Sequence, residues 1–174
     1  MELAKLGDDD PKALRGIARK LLATAAGDDG LAELLVRSQI IDLTHRYTWA
    51  IDTRTWSDLD EVFTVDATAL LPTPLESRDA IKRRVQRVLD TLDASQHIVT
   101  NHQVVVEGER ASCRCQLQAQ HVRTGPSGPE QYLVGGYYAD QLVRTPDGWR
   151  IVHRELKITW TDGDPSVVRP DRVK

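Results

Sequence analysis

Histidine, aspartate and tyrosine can move a proton near neutral pH and steady the charge left behind. In this chain His121 is the most informative of them. Ala111, Cys113, Cys115, Leu117, Ala119 and His121 alternate with Ser112, Arg114, Gln116, Gln118 and Gln120. On a strand the first set shares one face, and being small and apolar it faces inward, with His121 closing the row. His97 opens the preceding apolar run, SQHIVTNHQVVV. Its register is open, because Ile98, Val104 and Val106 compete with Val99 and Val105 for the interior, and His102 has the opposite parity to His97. Asp52 ends a long helical pattern at the margin of its apolar stripe. It is either paired there, an imidazole being a suitable partner, or turned to solvent against the helix dipole. Tyr47 faces inward one turn before Ile51, as a packed core residue or as a hydroxyl offered to a ligand. Trp56, Tyr132, Tyr137 and Trp160 are candidates to line a cavity and bind a substrate.

These residues need elements to position them. Asp8–Asp9–Asp10–Pro11 reads as a helix start, and Leu14, Ile17, Ala18, Leu21 and Leu22 continue at helical spacing until Gly27–Gly30 ends the run. A second, long helix starts at Leu31, with Leu34, Leu35, Ile40, Leu43, Tyr47, Ala50 and Ile51 as its apolar stripe. TWSDLDEVFT forms a short helix with Thr55 as cap, DATALLP a strand ended by Pro72, and ESRDAIKRRVQRVLDTLD a third helix. Four long antiparallel strands follow, separated at Glu107–Gly108–Glu109, at GPSGP and at Pro146–Asp147–Gly148. Strands this long must curve, and Gly135–Gly136 marks a bulge or bend. Helices first and packed strands later make an α+β fold. The expected organisation is a helical extension at 1–30, a main domain at 31–163 and a tail at 164–174.

Composition narrows the functions. The chain has 174 residues, 23 Lys plus Arg and 26 Asp plus Glu, for a net charge of −3, which argues against a nucleic-acid binder. No apolar run is long enough to span a bilayer and the N-terminus is acidic rather than signal-like, so a cytoplasmic location and no membrane partner are expected. Cys113 and Cys115 share a strand face, a geometry unsuited to an ordinary disulfide. Neither they nor the histidines show convincing metal spacing, and phosphate-loop, dinucleotide, serine-hydrolase and HExxH motifs are missing from the sequence. The chemistry expected is acid–base, without metal or cofactor. Polar Gln116, Gln118 and Arg114 on the outer sheet face, with Val122 and Leu142 also assigned there, suggest a homodimer or homotrimer.

Three segments, YTWAIDTRTWSDLDEVFTVDA, SQHIVTN and GGYYADQLVRTPDGWRIVHRELKITW, resemble the SnoaL-like branch of the NTF2-like superfamily over residues 31–163. The resemblance implies a cone-shaped barrel with a curved antiparallel sheet wrapped over helices. Within the branch the pattern is most similar to scytalone dehydratases and bile-acid 7α-dehydratases. It implies that Asp52, His97 and His121 act together, with Tyr47 matching a tyrosine five residues before the helix aspartate. Leu70–Leu71 and Val134–Gly135–Gly136 depart from the scytalone dehydratase pattern. The implied function is a dehydratase, isomerase or cyclase acting on a hydrophobic, polycyclic or polyketide-like molecule. The alternatives are a non-catalytic binding or assembly module, or the small subunit of a ring-hydroxylating dioxygenase.

Overall fold

The computed structural model describes residues 11–125 and 128–169, with side chains from residue 30 onward. The acidic helix-start signal at Asp8–Asp10 therefore lies outside the described residues. The chain divides into two units, Met1–Ser38 and Gln39–Lys174. In the first, helix α1 (Pro11–Thr53) begins with proline in the first helical turn, where its missing N–H costs nothing. The helix does not end at Gly27–Gly30 as expected. Each helical glycine costs about 1 kcal/mol relative to alanine, and the Leu- and Ala-rich sequence on both sides offsets that. Leu34 and Leu35, counted in the buried stripe, are 47% and 57% exposed. The buried face of α1 begins at Ile40.

In the second unit, α1 continues to Thr53 and buries Ile40, Leu43, Tyr47, Ala50 and Ile51. A 3-10 turn at Trp56–Asp60 replaces the expected short α-helix, and Thr55 makes no side-chain cap. Strand β1 (Phe63–Leu71) turns at Pro72 into the short β2 (Thr73–Leu75), which the sequence did not announce. Helix α2 (Arg78–Leu89) is capped by Ser77, whose hydroxyl accepts from the Ala80 amide at 3.2 Å. The long strands are β3 (Ala94–Glu107), β4 (Arg110–Gly125), β5 (Gly128–Thr145) and β6 (Gly148–Gly163). Their breaks fall at the three turns read from the sequence.

The sheet order is β2-β1-β6-β5-β4-β3. All pairs are antiparallel except β1–β6, which is parallel, so the sheet is mixed rather than purely antiparallel. The fold is an α+β cone. Its curvature has identifiable sources. At Gly135 an added Cβ would lie 2.0 Å from the Trp160 ring, and at Gly136 it would lie 2.1 Å from the Lys157 carbonyl oxygen. The β5–β6 register shifts between these two glycines, as the bend expected there requires. It shifts again between Gln141 and Leu142, where β6 carries the extra residue Val152. β5 itself alternates without a break, so Leu142 faces inward at 2% exposure with Tyr138 and Asp140, opposite Ala111 of β4, and not on the outer face where it was expected. The segment expected as a tail begins with a 3-10 turn, Pro165–Val168, capped by the Asp164 carboxylate and burying Val167.

Candidate active site

The inward row of β4 is as the alternation demands: Ala111, Cys113, Cys115, Leu117, Ala119 and His121 are all buried. Next to it, β3 resolves its two competing registers with a bulge. Its pairing with β4 shifts between Thr100 and Gln103, where Asn101 adopts φ 54°. Before the bulge His97 and Val99 face inward, opposite Ala119 and Leu117; after it Val104 and Val106 do, opposite Cys113 and Ala111. His97 and His102 therefore both reach the interior despite opposite parity. His102 Nε2 meets the Thr44 hydroxyl at 2.8 Å, and its ring packs edge-on against His45, away from His97.

Asp52 is paired, not solvent-facing. Its Oδ1 accepts from His97 Nδ1 at 2.7 Å and from the Ser95 hydroxyl at 2.9 Å, and its Oδ2 accepts from the His97 amide at 2.7 Å. A carboxylate can only accept, so Nδ1 carries a proton, and in the neutral ring the lone pair is on Nε2. Burial raises the Asp52 pKa, but the hydrogen bonds and charge of His97, helped by Ser95, outweigh it and hold the carboxyl below its ordinary value.

The end of α1 is built to hold this geometry. Arg54 sits just past the helix with φ 63°, and the Thr55 amide reaches back to the Ala50 carbonyl at 3.0 Å, a Schellman-type closure. Glycine usually occupies such a left-handed position; here arginine does, and its guanidinium is used. Nη1 donates to the carbonyls of Ile51 and Asp52 and to the Ser95 hydroxyl, and Nη2 donates to the Leu89 carbonyl.

His97 opens onto a cavity of about 240 Å³ between α1, α2 and the sheet. Aliphatic side chains form most of its wall: Ile51, Leu71, Val85, Val88, Leu89, Leu117, Ala119, Val134, Leu156, Ile158 and Val168. The polar side chains are Tyr47, Arg84, His97, His121, Tyr132 and Tyr138. The His121 ring stands edge-on to His97, 5.5 Å between centroids. Its Nδ1 lies 3.1 Å from the Tyr132 carbonyl, which can only accept, so this imidazole also turns Nε2 free. Burial and the neighbouring His97 push the His121 pKa down to about 4, so at neutral pH the ring is uncharged. Asp52 lines a surface groove behind the dyad instead, with Trp49 and Gln96.

Tyr47 is 2% exposed and packs edge-on against Phe63 and Tyr138. Behind it lies a feature the sequence reading missed. Arg154 is fully buried and makes a two-pronged ion pair with Asp140, Nε–Oδ1 at 2.7 Å and Nη2–Oδ2 at 2.6 Å. Its guanidinium lies 4.1 Å from the Tyr47 ring centroid and 4.3 Å from that of Tyr138. Burial raises the pKa of Tyr47, with the Arg154 charge opposing it; burial raises that of Tyr138 well above the ordinary range. Both phenols are thus neutral donors at neutral pH, backed by a cation.

Of the expected substrate-contacting aromatics only Tyr132 lines the cavity. Trp56 is partly buried at the start of the 3-10 turn and does not reach it. Tyr137 points to the other sheet face, under the Arg114 guanidinium, and its neighbour Tyr138 takes the inward place. Trp160 is 48% exposed in an outer groove with Ile98, because the bulge at Gly135–Gly136 reverses its side. Among the described residues no histidine, cysteine and carboxylate group is arranged to hold a metal ion, and no helix is long and apolar enough to cross a membrane.

Comparison with known proteins agrees with this architecture. The chain is 38% identical over 129 residues to an uncharacterised protein of Mycobacterium tuberculosis, an alignment covering 71% of this chain and 86% of the relative. It is 35% identical over 138 residues to terrestric acid biosynthesis cluster protein E of Penicillium crustosum, covering 75% and 88%. A candidate scytalone dehydratase structure from Novosphingobium aromaticivorans superposes with a TM-score of 0.68 at 22% identity, covering 76% of this chain and 89% of that one. The SnoaL-like domain model matches residues 32–155, which take in the dyad, strands β3 to β5 and the buried arginine, and the chain accordingly belongs to the SnoaL-like family.

Proposed function

We propose that this protein is an acid–base enzyme that dehydrates a hydrophobic small molecule, with His97 as the base. The observation that carries the reading is the Asp52–His97 pair, whose free Nε2 belongs to a ring lining an otherwise largely apolar cavity. In the proposed reaction His97 Nε2 takes a proton from the carbon next to a carbonyl. Asp52 stabilises the imidazolium that forms. The Tyr47 and Tyr138 hydroxyls donate to the carbonyl oxygen as it gains enolate charge, with Arg154 behind their rings. The enolate then re-forms the carbonyl and a new carbon–carbon double bond as the β-hydroxyl departs. His97 returns its proton to that oxygen, so water leaves and the enzyme is restored. Uncharged His121 accepts a hydrogen bond from the substrate through Nε2, and Tyr132 completes the wall beside it. Without a leaving group the same steps shift a double bond, which is the isomerase form of the reading. The dehydratase-type neighbour and the biosynthesis-cluster relative support a small-molecule-modifying role.

Proton abstraction can be read without knowing the substrate. A panel of hydrophobic ketones and β-hydroxyketones is incubated in D₂O, and exchange at the α-carbon is followed by mass spectrometry alongside enone absorbance. Exchange or elimination that is lost in His97→Ala and Asp52→Asn is the expected result. Exchange indifferent to both substitutions would leave the chain a binding module.

A further inference from the structure

The proposed chemistry gives a role to every polar side chain in the cavity wall except Arg84. That residue stands where an apolar one is expected. Ile81, Val85, Val88 and Leu89 form the inner face of α2, and Arg84 falls in the same row at helical spacing. The other basic residues nearby are differently placed. Arg78 and Lys82 pair with Asp60 at 3.1 and 2.8 Å, and Arg83 is exposed. Among the described residues no carboxylate forms an ion pair with Arg84. Its charged neighbour is Arg87, and burial together with that like charge lowers its pKa. A guanidinium partly buried against aliphatic side chains is costly to hold unless an anion joins it.

Resting on the reading of the cavity as a substrate site, we propose that Arg84 binds a carboxylate on the substrate, so that the molecule accepted is a hydrophobic acid with its reacting carbon at His97. A guanidinium fork matches a carboxylate edge-on through two parallel hydrogen bonds. A single cation in a small and largely aliphatic chamber suits a monoanion. A phosphate ester, carrying up to two charges and three strong acceptor oxygens, would need more donors than this wall offers. The carboxylate would also set direction: anchored at α2, the apolar body lies across Val85 and Leu117 and presents one end to β3.

The test is a binding measurement on the full chain that needs no turnover. Titrations by naphthalene fluorescence compare 3-(2-naphthyl)propanoate, its methyl ester and 2-naphthylmethyl phosphate at pH 7. Wild type is expected to prefer the acid to the ester by about five- to tenfold, a modest factor because Arg84 is partly solvated. Arg84→Gln should abolish that preference by weakening the acid and leaving the ester unchanged. Arg84→Lys, which keeps the charge without the fork, should fall between, and exposed Arg83→Gln should match wild type. Equal binding of acid and ester, acid preference that survives in Arg84→Gln, tighter binding of the phosphate ester, or no acid binding at millimolar concentration each overturns the proposal. His97→Ala should bind the acid as wild type does. If it does and no exchange chemistry is found, the carboxylate site stands and the enzymatic reading falls. If neutral ketones exchange equally in wild type and Arg84→Gln, and the acid shows no binding preference, the enzyme stands and the carboxylate site falls.

Discussion

The guanidinium of Arg154 lies over the ring of Tyr47, 4.1 Å from its centroid, while its Nε and Nη2 donate to the two oxygens of Asp140. An ion pair this deep is weak evidence of stability, since desolvating two charges offsets most of their attraction. Removing one partner is a different matter. Arg154→Met should destabilise the fold by about 3–5 kcal/mol by stranding Asp140. Asp140→Leu together with Arg154→Met should recover most of that loss. The activity should not return with it, because the tyrosines would still lack the cation behind them. Chemical denaturation of the three variants, set beside their exchange rates, separates the roles. A double variant that regains both stability and activity would make the pair purely architectural.

The dyad makes a second expectation. Asp52→Asn keeps the size of the side chain but removes the charge that stabilises imidazolium. A positioned general base contributes about 10²–10⁴-fold, so both Asp52→Asn and His97→Ala should lower kcat by factors in that range. Neither should change ligand affinity much, since aliphatic wall area holds the apolar body. Circular dichroism checks the fold, and competition binding checks the affinity.

These residues were legible in the sequence to different degrees, for physical reasons. The β4 row that includes His121 could be read from alternation alone, because every second side chain there is buried and no bulge interrupts it, although the row runs on to Arg123, buried against Thr91, and does not close at His121. The His97 face could not, because the inserted residue near Asn101 changes the parity within a single strand. Asparagine tolerates positive φ, so Asn101 between two competing apolar registers was the available signal. The same difficulty hid Asp140 and Arg154. Counting back from the Pro146–Asp147–Gly148 turn pairs Asp140 with His153, and only the shift at Gln141–Leu142 brings it opposite Arg154. Trp160 was misplaced by a bulge too, because β6 carries an extra residue opposite Gly135–Gly136. Tyr137 was not: β5 alternates without a break, and its pairing puts Tyr138 beside Cys115 of the inward β4 row and Tyr137 beside outward Gln116.

Arg54 gives a third prediction. A non-glycine residue in the left-handed region costs about 1–2 kcal/mol, so Arg54→Gly relieves backbone strain while deleting the guanidinium that ties the end of α1 to Ser95 and Leu89. These effects oppose each other, and the melting temperature should move little. The carboxylate it helps to position should wander, lowering kcat on the order of tenfold with KM nearly unchanged. Arg54→Ala keeps the strain and loses the contacts, so it should be less stable than Arg54→Gly and no more active. Equal activity of Arg54→Gly and wild type would show that the clamp only closes the helix.

Acid should unfold this protein in two stages, and His121 sets the first. Its folded pKa of about 4 lies below the ordinary histidine value of 6.5. The unfolded chain therefore takes up a proton before the folded one does. Stability is complete above pH 6.5, falls as pH drops through the interval from about 6.5 to about 4, and loses nothing further to this group below that. The interval corresponds to about 3 kcal/mol at 1.36 kcal/mol per unit. His102, also held low by burial with His45 adding repulsion, contributes with the same sign. Asp52 acts later: its depressed carboxyl stabilises the fold above the ordinary aspartate value and that share is lost as pH falls through the depressed value. His121→Gln removes the largest part of the first stage and leaves the second. Urea denaturation of wild type and His121→Gln at pH 7, 5.5 and 4.5 should show wild type losing stability steeply and the variant losing clearly less, the residue being the His102 share. Parallel losses in the two proteins would mean that His121 titrates near its ordinary value and is not buried as an uncharged ring.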